Sequence, residues 1–408
     1  MLDNRNLEKN GCSIIEYFLM MFFSAYYILT SLYSSINFYI IIFVIVIYVC
    51  YLLSQEQKYI RLSIIMLSLM IITALAYTIL TDTKTIAASG MMLEIKQFIS
   101  KFFQFLTMYF PVVLFVRMSD VMSERQKRSM ITIIGILIVY VMFQTLQELA
   151  INPNAIRQWE TDAEIEDDNI GGYYFVYSIP ILVATILICI EKMDSFKKTI
   201  GVLMVVLLFY FLLRAQYTLA LLISVIVVLV QLFRMIKNGV FKLIFLFAGV
   251  LLLFFLPNLL LWFANNTDSF QMSVRFRELH AFFESGDSGG YNLNSRLTLY
   301  SKTIISFFHS PLWGNRNLDF DGHATYLTVL SDTGLIGAIP FYCLLSNAFN
   351  SVRETIGRYH KKLIPVFIGL LCMGLTNPIH SSMPLSFAVW FVAPFTIDYI
   401  FKKGDAIR

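Results

Sequence analysis

Charged residues are scarce in this chain: Asp, Glu, Lys and Arg make up 14% of its 408 residues. Soluble domains carry nearer a quarter. The apolar residues, 58% of the chain, fall in repeated runs of about 18–22, the length that spans about 30 Å of hydrocarbon. The runs are apolar on every side, whereas β-barrel strands alternate apolar and polar residues. The composition therefore predicts an all-α polytopic membrane protein in which residues 1–408 form a single integral membrane domain.

Motifs for cofactors, metals and redox chemistry are also missing from the sequence. The five cysteines are scattered without a metal-ligand or redox spacing, which is typical of small apolar packing residues. The sequence has no Walker loop and no dinucleotide fingerprint. We therefore expect no cofactor and no metal site.

Hydropathy predicts about twelve transmembrane helices. The predicted ranges are 15–33, 37–53, 62–80, 97–116, 130–147, 173–190, 199–213, 215–233, 243–263, 326–349, 363–377 and 384–401. A full-length apolar run follows the polar N-terminal segment, so it predicts a first membrane helix rather than a cleaved signal peptide. A polar interruption around Arg214 divides an apolar run that is too long for one crossing. It predicts a tight hairpin between the seventh and eighth helices.

The distribution of lysine and arginine predicts the orientation in the membrane. With the N-terminus inside, most of the 31 basic residues lie in cytoplasmic segments, and both termini are cytoplasmic. These loops account for the net charge of +4, so nucleic acid is not an expected partner. Residues 264–325, between the ninth and tenth helices, then form a large external loop. This longest hydrophilic stretch of the chain is expected to cover the active site.

Two ionisable residues stand at the external ends of apolar segments. Arg214 lies within an apolar run, where a cation is either functional or extends to the membrane interface. His323 precedes the tenth helix, and Asp319 and Asp321 could orient it. Histidine is the usual general base near neutral pH, although a solvated loop histidine is equally compatible with the pattern. Asp332, farther along this helix, should face the protein interior or a cavity.

A short amphipathic helix is predicted inside the external loop. Ser295 could cap it, and the helix would run over residues 296–308 until Pro311 and Gly314 end it. Its length is too short to span the membrane, so it could lie on the external surface. Arg296 would then hold a phosphate with its planar guanidinium, or pair with a loop acid such as Asp287.

The order of these groups resembles the O-antigen ligase/polymerase superfamily. The resemblance is carried by an arginine between two helices, an arginine-led amphipathic segment ending in Pro-Leu-x-Gly, and His-x-x-Tyr-Leu-x-x-Leu-x-x-x-Gly-Leu-Ile-Gly. These pieces occur here as Arg214, Ser295-Arg296, Pro311-Leu-Trp-Gly314 and His323 to Gly337. Order and topology are similar over most of the chain, and motifs only over 205–340. The sequence departs at Ala324, where the family commonly has asparagine, and at Leu213, where it often has serine.

The resemblance implies a structure like that of fold-C glycosyltransferases and a metal-independent, inverting transfer at the external membrane face. The donor would be a glycan joined through diphosphate to undecaprenol. By position, Arg214 and Arg296 would hold the diphosphate, and His323 would take the acceptor proton or orient the acceptor. The secondary site candidates are Arg275, Arg277, Arg316, Asp319, Asp321 and Tyr326.

Within this resemblance, which does not separate polymerases from ligases, we expect first a polymerase that joins lipid-linked oligosaccharide repeat units into O-antigen, capsular or exopolysaccharide in the bacterial cytoplasmic membrane. The alternative within the family is a ligase that transfers the glycan to lipid A–core. A lipid-linked oligosaccharide flippase ranks lower, because the sequence shows neither related halves nor broken helices. Expected partners are the lipid-linked donor and acceptor, membrane lipids, a flippase and a chain-length regulator.

Overall fold

The computed structural model confirms an all-α polytopic membrane protein. It describes residues 12–36, 38–54, 57–81, 91–158, 170–267, 270–285, 291–315, 324–379 and 382–406. This part of the chain is about 90% helical and contains no strand. Within it, nine helical stretches are long and apolar enough to cross a membrane, and one of them covers residues 325–376.

Eighteen α-helices follow one another along the described ranges. They are α1 Ile14–Ile28, α2 Thr30–Ser35, α3 Phe38–Leu53, α4 Gln57–Thr81, α5 Met91–Val121, α6 Glu124–Ile151, α7 Ala155–Gln158, α8 Tyr173–Val176, α9 Ile179–Ile190, α10 Ser195–Ala215, α11 Thr218–Met235, α12 Gly239–Asn266, α13 Phe270–Ser285, α14 Tyr291–His309, α15 Thr325–Ile356, α16 Ile364–Thr376, α17 Met383–Phe387 and α18 Ala393–Ala406. A 3₁₀ segment, Gly357–Leu363, joins α15 to α16, and a π segment, Ala388–Val392, joins α17 to α18. Each of the twelve predicted ranges overlaps at least one of these helices.

Several helices are longer than hydropathy predicts, because polar turns continue them beyond the apolar run. α6 begins at Glu124, six residues before its predicted start. Ser123 and Gln126 form a reciprocal capping box there, in which each side chain accepts a hydrogen bond from the other residue's backbone N–H. The capped first turn is polar, so a hydropathy criterion assigns it to the loop.

The hairpin predicted around Arg214 is confirmed. α10 ends at Ala215, and Gln216 adopts a left-handed conformation with φ 61° and ψ 31°. The Gln216 N–H donates to the carbonyl oxygens of Leu212 and Leu213, so it satisfies carbonyls at the end of the helix. α11 then starts at Thr218, two residues later.

The segments predicted to be cytoplasmic meet at one end of the bundle. Arg117 and Glu16 form a buried ion pair at 3.0 Å. Asp405 binds Lys192 at 3.0 Å and Arg358 at 2.8 Å. These contacts join segments that are far apart in the sequence, so the helices between them must return repeatedly to the same face, as a multi-pass chain requires.

The segments predicted to be external meet at the other end. Thr30 donates to the carbonyl oxygen of Ile170 at 2.9 Å, and the hydroxyl of Tyr173 donates to Asn377 Oδ1 at 2.8 Å. Glu16 lies in the first turn of α1, and Thr30 lies just beyond the C-terminal end of that helix. The two sets of polar contacts therefore mark the two faces of the bundle.

Residues 264–325 contain more helix than the sequence predicts. α13 folds back against α12 through Leu260, Ala264, Met272 and Phe276, and it was not predicted. α14 confirms the amphipathic helix, but it starts at Tyr291, so the prediction that Ser295 caps it is wrong. The first turn of α14 is polar, and the apolar pattern on which the prediction relied begins only later.

α15 is broken at Gly334, where the backbone adopts φ 58° and ψ −162°. The N–H groups of Leu335 and Ile336, next to the break, donate to the carbonyl oxygens of Pro311 at 2.8 Å and Leu312 at 3.2 Å. The expectation that the chain has no broken helix is therefore wrong. The break receives the Pro311-Leu-Trp-Gly314 segment, so two of the motifs singled out in the sequence pack against each other.

Candidate functional site

A cavity of about 470 Å³ lies at the predicted external end of the bundle. The start of α11, the cavity-facing side of α13 and the first half of α14 form its walls, with Tyr173, Tyr177 and Thr376 completing it. Its lining combines two arginines, one glutamate and four tyrosines with leucines and threonines. Mostly apolar walls with a few polar groups are typical of small-molecule binding sites.

Arg296 is the best-anchored cation in this cavity. It is half-buried on α14, and its Nη1 donates to the carbonyl oxygen of Thr376 at 3.5 Å, near the limit of a hydrogen bond. It also interacts with the hydroxyl of Tyr300, one turn farther along α14. A guanidinium has five N–H donors, and most of those of Arg296 find no acceptor among the described residues. Arg296 is therefore held in place while it retains donors for a ligand.

Tyr300 adds a neutral hydroxyl beside this cation. Burial raises the pKa of the Tyr300 phenol above its usual range, and the Arg296 guanidinium offsets part of that rise. The phenol therefore stays protonated at physiological pH. It can donate a hydrogen bond to an anion that Arg296 binds.

Arg275 supplies a second guanidinium from a different helix. It lies on α13 and lines the same cavity as Arg296. Among the described residues, no acceptor forms a hydrogen bond or ion pair with Arg275. Two guanidiniums from two helices can bind separate oxygens of one anion, and such charge-assisted contacts are the stronger class of hydrogen bond. The arrangement suits an anion with more than one charge.

Arg214 and Arg277 lie outside the cavity lining. Arg214 is exposed, and its Nη2 donates to the carbonyl oxygen of Leu149 at 3.3 Å. That carbonyl is in the last turn of α6, where a cation is favourable. Arg277 is exposed on α13, and its Nη2 donates to Asn265 Oδ1 at 3.0 Å. The hairpin at Arg214 still contributes to the cavity, but through Tyr217 and Thr218, the residues at the start of α11.

His323, the predicted catalytic histidine, lies outside the described residues, as do Arg316, Asp319 and Asp321. The next described positions are tied to the cavity wall: Thr325 donates through its hydroxyl to the Asn377 carbonyl oxygen at 2.9 Å. Asn377 follows Thr376, which lines the cavity. The start of α15 is thus adjacent to the site.

Tyr326 has a packing role in the structure. It is 7% exposed, and its carbonyl oxygen accepts a hydrogen bond from the hydroxyl of Tyr342 at 3.1 Å. A Cβ added to Gly374 would come within 2.4 Å of the Tyr326 ring. The absence of a side chain at Gly374 therefore leaves room for the Tyr326 ring. Tyr326 does not line the cavity, in contrast to what its motif position suggests.

An aromatic wall of the cavity was not foreseen from the sequence. The ring of Tyr173 lies 4.6 Å from that of Tyr177 and 5.7 Å from that of Tyr217, in edge-to-face contacts. The Tyr173 hydroxyl is fixed on Asn377. Tyr173 and Tyr177 are four residues apart, but this spacing is common to packing aromatics, so it gave no distinct signal. Rings with polar tips offer flat apolar faces together with hydroxyl groups.

A further part of the cavity lining is apolar. Leu219 and Leu222 come from α11, one of the membrane-spanning candidates, and Leu297 comes from α14. Leu222 is 47% exposed and Leu297 is 37% exposed. Leucines that line the cavity are therefore accessible rather than packed against other side chains. The site can bind a molecule that has both a charged part and an apolar part.

Asp332 is half-buried, as the sequence predicted. It interacts electrostatically with Lys101 of α5, whose ammonium lies 5.3 Å from the ring centre of Tyr77. Asp332 does not line the cavity. Its backbone carbonyl lies where a Cβ on Gly314 would approach within 2.2 Å, so this residue belongs to the packing of the helix break.

Comparison with known proteins adds no assignment. The sequence matches no protein-family model and no curated protein. Among the described residues, no group of His, Cys, Asp and Glu is arranged to hold a metal ion. The resemblance to the O-antigen ligase/polymerase superfamily therefore rests on the order and spacing of motifs.

Proposed function

We propose that this chain is a glycosyltransferase that polymerises undecaprenyl-diphosphate-linked oligosaccharide repeat units into O-antigen, capsular or exopolysaccharide. The observation that carries the proposal is the cavity that joins Arg275 and Arg296 to accessible leucines on α11, a candidate membrane-spanning helix. A lipid-linked diphosphate sugar has this same division, with an anionic head between a sugar and a long hydrocarbon tail. Soluble sugar nucleotides have no such tail.

The arginines would bind the diphosphate and stabilise it as a leaving group. When the bond to the anomeric carbon breaks, the electron pair remains on the diphosphate oxygen, whose negative charge grows. Preorganised cations and hydrogen-bond donors are most effective where such charge develops. Arg275 and Arg296 supply the cations, and the neutral Tyr300 phenol supplies a further donor. The charge can thus be balanced by protein groups.

The sugar part of the donor would lie against the aromatic wall formed by Tyr173, Tyr177 and Tyr217. These rings are packed against one another, and the hydroxyl of Tyr173 is bonded to Asn377. A rigid wall limits the orientations of the sugar ring, so the anomeric carbon is held in one position. Holding reacting groups in place supplies a large part of enzymatic rate enhancement.

The acceptor hydroxyl would attack the anomeric carbon from the face opposite to the diphosphate, which inverts the configuration. His323, with Asp319 or Asp321 as its partner, is proposed to orient the acceptor or take its proton. The proposal for His323 is supported by its motif position and by the hydrogen bonds that tie Thr325 to the cavity wall. No step in this scheme requires a cofactor.

The proposed setting is the bacterial cytoplasmic (inner) membrane, with both termini in the cytoplasm and the cavity at the external or periplasmic face. The lysine and arginine bias of the loops supports this orientation. A flippase would deliver the lipid-linked donor and acceptor to this side, and a chain-length regulator is an expected partner. Membrane lipids would contact the accessible leucines of α11.

An O-antigen ligase that transfers the same donor to lipid A–core would use the same cavity, so it remains the alternative. A flippase ranks third. The broken helix at Gly334 is a feature of many transporters. However, the N–H groups of Leu335 and Ile336 at the break are bonded to the carbonyls of Pro311 and Leu312. These donors are therefore committed to packing rather than to a transported substrate.

A glycan gel of cells that lack the gene tests the proposed function. If the protein is a polymerase, such cells carry a single repeat unit on the usual acceptor, and the wild-type gene restores the ladder of longer chains. Long chains that stay on undecaprenyl diphosphate, with none on lipid A–core, would identify a ligase. A ladder that does not change on deletion would contradict both glycosyl-transfer functions.

Arg275→Ala is expected to weaken the binding of undecaprenyl diphosphate to the purified protein by about tenfold or more. A charge-assisted hydrogen bond contributes about 1.5–3 kcal/mol, and about 1.4 kcal/mol corresponds to tenfold. Arg214→Ala should change the affinity by less than about threefold, because Arg214 is bonded to the Leu149 carbonyl instead. A titration of each variant in detergent measures both. A larger loss of affinity in Arg214→Ala than in Arg275→Ala would instead make Arg214 the residue that binds the diphosphate together with Arg296.

A further inference from the structure

Among the described residues, the cavity lining contains one carboxylate, that of Glu278, to which the motif resemblance gives no role. We propose that Glu278 is the general base that accepts the proton of the attacking acceptor hydroxyl. This inference rests on the proposed glycosyl transfer and adds a catalytic residue to it. Glu278 would act on the acceptor, whereas Arg275 and Arg296 would bind the leaving group.

Glu278 lies on the same face of α13 as Arg275. The two residues are one turn apart, and both line the cavity together with Leu279. Residues three or four positions apart in a helix lie on one side of it. α13 is anchored on α12 through Met272 and Phe276. The carboxylate is therefore carried by a packed helix, which can hold it in a fixed position relative to the diphosphate site.

The Glu278 side chain is half-buried, and among the described residues it forms no hydrogen bond and no ion pair. Two other carboxylates with little exposure are occupied: the buried Glu16 pairs with Arg117, and the half-buried Asp405 binds Lys192. Glu284, two turns farther along α13, contacts His280 at 3.3 Å and is largely exposed. Glu278 is thus a half-buried carboxylate whose acceptor capacity is available inside the cavity.

An ionised carboxylate is only an acceptor, so the ligand group that it binds must be a donor. The diphosphate carries no donor in its ionised form, and it would be repelled by Glu278. The groups of the proposed substrates that donate are sugar hydroxyls. Glu278 therefore favours the acceptor sugar, while the nearby guanidiniums favour the diphosphate. The two kinds of charge in the cavity would therefore hold the acceptor sugar near Glu278 and the diphosphate near the arginines.

The proposed step is balanced without another reactant. The acceptor O–H gives its proton to the Glu278 carboxylate, and the acceptor oxygen forms a bond to the anomeric carbon. At the same time the bond between that carbon and the diphosphate oxygen breaks, and its electron pair leaves with undecaprenyl diphosphate. The proton on Glu278 then returns to water. In this scheme His323 orients the acceptor.

Glu278→Gln is the decisive variant, because it keeps the size of the side chain and removes its basicity. We expect the rate of glycosyl transfer to fall by about 100-fold or more, since general base catalysis contributes about 10²–10⁴-fold. The affinity for undecaprenyl diphosphate should not fall, because the variant removes only a negative charge from the cavity, and retained binding also shows that the variant is folded. Glu278→Asp should keep part of the activity. Glu284→Gln is the matched control on the same helix and should transfer at the wild-type rate.

Two outcomes would overturn the assignment. One is a Glu278→Gln variant that transfers within about threefold of wild type. The other is a loss of transfer in that variant that is matched by an equal loss of undecaprenyl diphosphate affinity, which would give Glu278 a role in positioning Arg275. Wild-type protein that binds undecaprenyl diphosphate but transfers no sugar would instead disprove the proposed function and, with it, this step.

Discussion

Cells that produce only the Arg296→Ala variant are expected to lose all long-chain polymer. Arg296 is the cavity cation that is both held in place, by the Thr376 carbonyl, and supplied with further free donors. Removing it would leave the developing charge of the diphosphate with half of its cationic partners. Loss of one preorganised donor at such a site costs about 10²–10³ in rate. The glycan ladder, measured at equal protein levels in the membrane, should collapse to the single repeat unit.

Arg296→Lys should also be strongly impaired, because an ammonium has no planar pair of donors for two phosphate oxygens. Lys302 provides a matched control. It is an exposed basic residue on the same helix, and it does not line the cavity. Lys302→Ala should give a normal ladder. Equal ladders from Arg296→Ala and Lys302→Ala would remove Arg296 from the site.

The second large effect is expected at Gly334, where Gly334→Ala should destabilise the protein by about 3 kcal/mol or more. The conformation at φ 58° and ψ −162° is essentially restricted to glycine and costs other residues about 1–3 kcal/mol. An added Cβ would also lie 2.5 Å from the backbone nitrogen of Gly314. Because this neighbour is backbone, it cannot rotate away. Thermal unfolding in detergent and the amount of folded protein in the membrane measure the effect.

Gly135 is the control for that substitution. It lies within α6, and a Cβ added there would meet no atom within 4 Å. Gly135→Ala should therefore be neutral or slightly stabilising, since alanine is favoured over glycine in a helix by about 0.5–1 kcal/mol. If Gly334→Ala unfolds at the same temperature as Gly135→Ala, the contact between the Pro311–Gly314 segment and the break does not have the role assigned to it.

The sequence was sufficient for the membrane helices and for the hairpin at Arg214. Long apolar runs identify helices because the bilayer requires every backbone polar group to be bonded internally. The same reasoning could not place the ends of these helices, since the capped first turn of α6 is polar. It also could not detect the break in α15. The partners of that break are the carbonyls of Pro311 and Leu312, which lie more than 20 residues earlier in the chain.

The candidate site was only partly predictable. Arg296 was singled out, and it lines the cavity. Arg214 was singled out by its position in an apolar run, but an arginine at a helix turn can also reach a helix end, and here it binds the Leu149 carbonyl. Arg275 ranked as secondary. Its place in the cavity depends on α13, which hydropathy reads as part of a polar loop.

The sequence of α13 contains a helical signal of its own. Met272, Phe276 and Leu279 recur at the spacing of a helix face, and Arg275 lies within the same turns. This pattern predicts an amphipathic helix once the stretch is examined on its own. The aromatic wall had no comparable signal. Tyr217 joins Tyr173 only through the packing of distant segments, so it required the structure.

Reconstitution of the purified protein in liposomes with an undecaprenyl-diphosphate-linked repeat unit separates glycosyl transfer from transport. We expect that wild-type protein alone forms longer chains, that one undecaprenyl diphosphate is released for each new linkage, and that EDTA does not inhibit the reaction. Arg296→Ala should release none. Folded wild-type protein that yields no longer chain and no undecaprenyl diphosphate, or that only moves the intact lipid across the bilayer, would contradict the proposed glycosyl transfer.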